Sequence, residues 1–352
     1  MVAVHRLTVV DGAEPKRTVE ITQEALVIGR DVSRPFHLAD AEVSRAHCEI
    51  RLLGTRLMVR DLGSTNGTFV DGERVTLPRE IPVGSLLTLG RHVLRHDVLT
   101  PEEAAQSAQL QAELSRARRY VEDLLPAPRT NGPIRLRWCF VPTAQLGGDC
   151  FGYQDLPDGR IALYVTDVCG HGVSSALHAA AVIHVLRNRT LADTDFGEPT
   201  QVLERLNASF AMEDHGGMYF SAWYGVFEPQ RRRLRFASAG HPPALVVDAR
   251  GHVSARLATE NPAIGIMGPR RFTGAETVLE PGRRLLLLTD GAFEIVAGDG
   301  RVLGLTDFEA RLAEVASRSG DCDPRALHEA ARQSAGGDLE DDFTVVTLEA
   351  TT

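Results

Sequence analysis

Apolar and polar positions along the chain change character twice. Over residues 1–99, short apolar runs follow one another at close spacing. They are "RLTVV", "TVEIT", "ALVIGR", "HCEIRLL", "RLMVRDL", "GTFVDG" and "SLLTLG". Each is bounded by turn residues, often Gly. Short strands with this punctuation predict an all-β sandwich. At Thr100-Pro101-Glu102-Glu103 the pattern becomes helical. A Thr N-cap, Pro at the first helical position and Glu at the third make a capping box. Leu110, Leu114, Ala117, Val121 and Leu124 then recur at steps of four and three, with no Gly up to Leu125. That is about two heptads of a seam. It suits a helix packed on its own chain or a parallel dimer helix, and the spacing does not choose. "LLPAPRTNGP" ends the helix with Pro and Gly.

From about residue 134 onward strands and helices mix. "GGDCFGYQDL" and "RIALYVTDV" flank Pro157-Asp158-Gly159, a hairpin signal. "SSALHAAAVIHVLRNR", "PTQVLERLNASFA", "TDFEARLAEVASR" and "DPRALHEAARQSA" read as helices. "SAWYGVFE", "RLRFASAG", "PALVVD", "RRLLLLTDG" and "DFTVVTLEA" read as strands. Hairpins flanked by helices predict an α+β sandwich instead of alternating βαβ units. Three segments follow: a β-sandwich at 1–99, a helical linker at 100–128 able to form a short coiled coil, and an α+β domain at 129–352.

Composition adds limits. At 352 residues the chain is long for one domain. A hydrophobic content of 43% with 24% charged residues supplies ordinary cores. The net charge of −9 and the absence of a long basic run argue against nucleic acid as a partner. Cys48, Cys139, Cys150, Cys169 and Cys322 are scattered, with no CxxC pair. Neither a disulfide framework nor a zinc ribbon is expected. The start, "MVAVHRLTVV", has no charged segment leading into an apolar one. No apolar run approaches the ~18 residues of a membrane span. A soluble, cytoplasmic protein is expected.

Four acidic positions stand in unusual places. Asp149 follows Gly147-Gly148, Asp167 ends a strand, Asp290 follows the apolar run 285–288, and Asp341-Asp342 opens the last strand. Burial disfavours a carboxylate at each of them. Asp149 and Asp167 each lie nine residues from Asp158, the centre of the predicted hairpin turn. An antiparallel pair then sets them opposite, or nearly so, on one face, with Cβ atoms roughly 4.5–5.5 Å apart. Two like charges there require something positive between them. No neighbouring Lys or Arg serves, and a divalent cation does. All-carboxylate ligation selects hard ions such as Mg²⁺ or Mn²⁺. In "LYVTDVCGHG" (163–172), Gly170 and Gly172 let the backbone turn sharply before a helix whose start favours an anion. A Walker A lysine and a G-x-S-x-G elbow are both absent, which excludes a P-loop and a serine hydrolase of that type. His171 is read as a general acid or as a loop-holding hydrogen bonder.

Five ordered blocks, "GGDCFGY", "VTDVCGHGVSSAL", "ASAGHPPALV", "LLTDGAFE" and "EDDFTVVTL", with the "YVEDLLP" lead-in, resemble the SpoIIE/RsbU-type branch of the metal-dependent (PPM) serine/threonine protein phosphatases. The resemblance implies an αββα sandwich with a two-metal Mn²⁺ or Mg²⁺ centre. Asp167 would bridge the metals and the Val168 carbonyl would help hold one. Asp149, Asp290 and Asp341 would complete the cluster, with Asp342 behind them. It also implies in-line attack on phosphoserine or phosphothreonine by a hydroxide that the metals activate. The family often has Asp three residues after the GGD aspartate, where this chain has Gly152.

The first segment has its own polar constellation in "IGRD" (28–31), "VSRAHCEI" (43–50) and "DLGSTNGTFVDG" (61–72). Arg30 offers a fork suited to phosphate, and Ser44, Arg45, Thr65 and Asn66 add hydroxyl, charge and amide. These blocks resemble the forkhead-associated (FHA) domain. The resemblance implies phosphothreonine-peptide binding through Arg30, Ser44, Arg45, Thr65 and Asn66, with Gly29 and His47 architectural. Together the two resemblances imply a protein phosphatase whose FHA domain recruits a Thr-phosphorylated protein. By analogy the substrate would be a STAS-type anti-sigma-factor antagonist. The competing expectation is an FHA adapter with an inactive phosphatase fold.

Overall fold

The computed structural model describes residues 3–12, 17–142, 146–298 and 300–351. The chain divides into two compact units, Met1–Glu113 and Leu114–Thr352.

The first unit is the expected β-sandwich. Its strands are β1 (Val4–Asp11), β2 (Thr18–Ile21), β3 (Leu26–Gly29), β4 (Phe36–His37), β5 (Cys48–Leu53) and β6 (Arg56–Asp61). They continue with β7 (Thr68–Val70), β8 (Glu73–Arg74), β9 (Arg79–Glu80), β10 (Leu86–Leu89) and β11 (His92–Leu99). One sheet has the order β2-β1-β11-β10-β7-β8 and the other β4-β3-β5-β6-β9. Burial alternates along β1 and β5, as a period of two demands when one face meets a core. Leu7, Ile28, Ile50, Leu57, Val59, Leu87 and Leu94 fill that core. Helix α1 (Pro101–Leu124) begins with the predicted box. Thr100 N donates to Glu103 Oε2 at 2.8 Å, and Glu103 N donates to Thr100 Oγ1 at 3.2 Å.

In the second unit the last part of α1 packs on its own chain. Val121 is buried with Leu146 and Ala176, and Leu114 lies against them. Leu110, outside this unit, is exposed. Next come β12 (Ile134–Val141), β13 (Asp149–Asp155), β14 (Ile161–Val168), α2 (Val173–Asn188) and α3 (Pro199–Ser209). The middle holds β15 (Phe220–Glu228), β16 (Arg233–Ala239), β17 (Ala244–Val247), β18 (Val253–Leu257), β19 (Ala275–Val278) and β20 (Arg284–Leu288). Helices α4 (Leu305–Ser319) and α5 (Pro324–Ala335) precede β21 (Phe343–Ala350). Two five-stranded antiparallel sheets result, β13-β14-β15-β16-β19 and β12-β21-β20-β17-β18. α2 and α3 cover the first, and α5, with α4 beside it, covers the second. This is the expected αββα sandwich.

The run 284–288 shows why the sequence builds two layers on each sheet. Leu285 and Leu287 face the other sheet, while Leu286 and Leu288 face α4 and α5. A strand buried on both faces reads as a continuous apolar run. Between the sheets, Phe151 packs on Trp138 and Phe140, with ring centroids at 5.2 and 6.4 Å. Phe151 shares its face with Asp149, so Asp149 also points between the sheets. Gly152 points the other way, toward the helices. Its register partner is Tyr164, and a Cβ at Gly152 would stand 2.2 Å from the Tyr164 hydroxyl. A side chain at 152 therefore lies on the far side of the sheet from the carboxylates. Among the described residues, no helix is long and apolar enough to cross a membrane.

Gly152→Ala should destabilise the protein by about 1–3 kcal/mol, because the buried Tyr164 ring must move aside. Urea or thermal unfolding measures this, and an unchanged midpoint contradicts the packing described.

Candidate functional site

The hairpin sets the centre. β13 and β14 pair with Asp149 opposite Asp167, and the next strand places Ser221 opposite Asp167. Asp149, Asp167 and Ser221 thus form a row across three strands at one end of the sandwich. The second sheet closes over this row. Thr289 Oγ1 and Thr344 Oγ1 both donate to Asp149 Oδ2, at 2.7 and 2.5 Å. Asp149 is nearly sealed, at 2% exposed. Burial, then the charges of Asp167 and Asp342, push its carboxyl well above the usual range against the pull of the two threonines. Burial and the carboxylates Asp290, Asp341 and Asp342 push Asp167 up to about 7.

Asp290 and Asp341 come from the second sheet. Asp290 follows β20, and burial with the nearby Glu294 and Asp342 raises its carboxyl despite a bond from Gly291 N. Asp341 precedes β21, which starts at Phe343, two residues later than the sequence pattern suggests. Burial and the charges of Asp290 and Asp342 raise Asp341, while His171 acts on it in the opposite sense. His171 is exposed on the loop after β14.

The register separates the two adjacent aspartates. Asp342 Oδ2 accepts from Gly148 N at 2.8 Å and so clamps the Gly-Gly turn before Asp149. A Cβ at Gly147 would stand 2.2 Å from that oxygen, so only glycine fits. Asp341 Oδ1 accepts from Asp342 N at 2.8 Å. The Val168 carbonyl lies against Gly148, 2.6 Å from where a Cβ would be.

Four residues of this end escape a reading of the sequence. Thr289 and Thr344 are two of them, and their only signal is a hydroxyl residue close to a carboxylate in "LLTDG" and "DDFT". Ser221 and His241 are the others. Burial pushes the His241 imidazole down to about 3, so it is neutral. Its Nε2 donates to Leu288 O at 3.2 Å, which leaves Nδ1 to accept from Ser221 Oγ at 2.6 Å. One ring thus ties the strand of Ser221 to the strand that leads into Asp290.

Among the described residues, no group of three or more His, Cys, Asp or Glu is gathered closely enough to be a ready cage for a metal ion. The donor chemistry still suits a hard divalent cation. The candidate donors are carboxylate and carbonyl oxygens, and the electrostatic strain at Asp149 and Asp167 is what a cation between them relieves.

In the first unit the expected phosphopeptide residues converge on the loops at one end. Arg30 N donates to Ser44 O at 3.0 Å, and Thr65 N to Ser44 Oγ at 3.1 Å. Asn66 Nδ2 donates to Glu42 O at 2.8 Å. Arg30, Arg45, Thr65 and Asn66 are exposed and Ser44 is half-buried. His47 is fully buried; its Nδ1 accepts from Ser44 N at 3.1 Å, and its Nε2 donates to Gly67 O at 3.0 Å. It therefore braces the loop carrying Ser44, as expected. Gly29 allows the Arg45 carbonyl to approach within 2.2 Å of where a Cβ would sit. Asp61 anchors the 61–68 loop. Burial works to raise its carboxyl, but bonds from Ser64, Thr68 and Gly63 outweigh it and hold the group at about 2.

An αββα sandwich with carboxylates at one end defines the class of PP2C-like folds. Stage II sporulation protein E (SpoIIE) is the family model that matches residues 157–351, and the FHA domain model matches residues 26–90. The chain belongs to the SpoIIE family and carries an FHA domain ahead of its PP2C-like domain. Phosphoserine phosphatase RsbP of Bacillus subtilis is 31% identical over 189 residues, 53% of this chain and 46% of RsbP. FHA domain-containing protein FhaB of Mycobacterium tuberculosis is 32% identical over 89 residues, 25% of this chain and 57% of FhaB. The chain thus spans about half the length of these curated relatives. The SiaA-PP2C domain of Pseudomonas aeruginosa superposes with a TM-score of 0.60 at 22% identity, covering 70% of this chain and 98% of that domain. That likeness establishes the fold. Membership of the family implies a divalent metal, Mg²⁺ or Mn²⁺.

The raised Asp167 carboxyl makes a prediction for the protein in EDTA. The unfolded chain loses this proton near pH 4 and the folded chain near pH 7, so its charge destabilises the fold increasingly across that window. Asp167→Asn removes that cost. Its stability relative to wild type should grow from pH 4 to pH 7, by on the order of 2–4 kcal/mol. Paired thermal melts at the two pH values measure the difference, and a constant difference refutes the prediction.

Proposed function

We propose that the chain is an Mg²⁺- or Mn²⁺-dependent protein phosphatase acting on phosphoserine or phosphothreonine, and that its FHA domain recruits a Thr-phosphorylated partner. In this reading residues 1–99 bind the phosphopeptide, 100–128 link, and 129–352 hydrolyse. The observation that carries it is the Asp149–Asp167 pair. Register places two carboxylates face to face, burial raises both, and two threonines from the other sheet fix one of them. A purely structural hairpin gains nothing from that arrangement.

Asp149, Asp167, Asp290 and Asp341, with the Val168 carbonyl, would hold the ions. Bound there, two divalent cations supply activation of water and offset charge on the phosphoryl oxygens. Thr289 and Thr344 keep Asp149 oriented. Asp342 holds the Gly-Gly turn that presents it. His241 keeps Ser221 and the approach to Asp290 in fixed relation. The substrate we assign, by analogy with RsbP and its class, is a serine-phosphorylated STAS-type anti-sigma-factor antagonist. The exposed Leu110 leaves room for homodimer contact along α1. The second reading is an FHA adapter whose phosphatase fold is inactive.

One assay separates them. With Mn²⁺, wild type should hydrolyse p-nitrophenyl phosphate and a phosphoserine protein, and Asp167→Asn or Asp290→Asn should lower kcat/KM by at least about 10³-fold. Wild type as inert as both variants would establish the adapter. For the first domain, Arg30→Ala should weaken phosphothreonine-peptide binding about 100-fold in calorimetry, consistent with losing a charge-assisted fork. Affinity that survives the change, or that ignores the phosphate, rules out Arg30 as the reader.

A further inference from the structure

Helix α2 breaks the usual rule for a surface helix. From Val173 to Leu186 it has no charged residue. Ser174 and His184 are the polar residues on its exposed side, so that side is only partly polar. Its inner face is buried through Ala176, Ala179, Val182, Ile183 and Leu186. Its outer face is open at the end nearest the centre, where Val173 is 48% and Leu177 66% exposed.

A second exposed apolar element stands beside it and is rigidly built. Asn207 is buried, with its amide fully committed to one loop. Its Oδ1 accepts from Gly265 N at 3.0 Å, and its Nδ2 donates to Met267 O at 3.0 Å and to Gly268 O at 3.4 Å. Those bonds fix a backbone on which Ile266 and Met267 stand 46% and 50% exposed. Tyr219, whose carbonyl accepts from Cys169 N in the loop before α2, is 38% exposed.

One buried cluster joins these pieces. His178 of α2 stacks edge-on against Phe210, His215 and Phe220. Phe220 pairs with Ile264, and the Phe210 carbonyl lies against Gly265. Leu177, Tyr219 and Ile266 are the immediate chain neighbours of His178, Phe220 and Gly265. The exposed residues therefore all stand on backbone that one packed cluster holds together. That cluster is continuous with the carboxylate row. Asp167 pairs with Ser221 and Val168 with Phe220, and Cys169 N then donates to Tyr219 O at 3.0 Å. Tyr219 sits two residues along β14–β15 from the row, roughly 7 Å at strand rise.

We infer that Val173, Leu177, Tyr219, Ile266 and Met267 form the surface on which a folded, serine-phosphorylated protein rests while its phosphoserine enters the carboxylate centre. This rests on the phosphatase reading above. A phosphoserine side chain is short, so the protein that bears it must bring its own backbone to the mouth of the centre and cover what borders it. On the α2 side its border includes these apolar residues, held in place before the partner arrives, as the core of a protein interface is, while Arg270 Nη1 reaches the Met267 sulfur at 3.0 Å and Glu294, Asp338 and Glu340 line the side by Asp341. A small phosphate ester needs none of it.

The test compares two substrates in Mn²⁺: p-nitrophenyl phosphate and a serine-phosphorylated STAS-domain protein. The double variant Leu177→Ser/Met267→Ser should raise KM for the phosphoprotein about tenfold or more, with kcat within about twofold. Turnover of p-nitrophenyl phosphate should stay within about twofold, which also reports an intact fold. An unchanged phosphoprotein KM overturns the inference, as does a parallel loss on both substrates. If the variant instead dissociates a wild-type dimer in light scattering while phosphoprotein KM is unchanged, the surface joins two copies of this chain and the inference falls. Wild-type turnover of the small ester alone removes the occupant and overturns the surface while the centre stands. Wild type inert on both substrates overturns the phosphatase reading itself, and this inference with it.

Discussion

Repulsion between carboxylates governs the design of the second unit. Asp149 and Asp167 face each other across a hairpin at the end of a sandwich, where water is largely excluded. Like charges at such a distance in a partly dry site are costly, and the fold meets the cost with directional hydrogen bonds. Thr289 and Thr344 reach across from the second sheet to one oxygen of Asp149. Asp342, itself acidic, is given the Gly148 N–H. The glycines at 147 and 148 follow from this, since their missing side chains let Asp342 and the Val168 carbonyl press against the turn.

Sheet-to-sheet alignment at this end depends on the same demand. Donors that serve Asp149 lie just after β20 and on β21, so the two sheets must meet in one register at the carboxylate end. The neutral His241 reinforces it by joining Ser221 to the Leu288 carbonyl. The loop end of the first unit that carries Arg30 and Ser44 uses a related device. There a buried histidine, His47, holds the Ser44 loop and the Gly67 carbonyl together, and Asp61 gathers the donors of the 61–68 loop. In both units the residues that would touch a ligand are positioned by buried polar groups that would not.

Much of this is legible in the sequence. Equal spacing of Asp149 and Asp167 about Asp158 is arithmetic within one hairpin, and the register bears it out. The capping box of α1 is likewise a local signal and the α+β sandwich a periodic one, while the αββα layering follows from the family resemblance. What stayed hidden depends on contacts between distant strands. Asp341 and Asp342 are adjacent in sequence, and only tertiary register gives Asp342 to Gly148. Thr289, Thr344, Ser221 and His241 are ordinary strand or turn residues until the second sheet is laid over the first. The apparent departure at Gly152 misleads in the same way. A position three residues after Asp149 looks close to the carboxylates in sequence, yet the pleat turns it to the opposite face of the sheet.

That opposite face carries an evolutionary consequence. The Tyr164 phenol fills the space a side chain at 152 would need, so the two positions share a single volume. Neither can drift alone: a larger residue at 152 calls for a smaller one at 164, and the loss of the ring leaves a hole that glycine does not fill. Across the lineage to which this chain belongs, residues 152 and 164 should be inherited as a matched pair, with changes at one accompanied by compensating changes at the other.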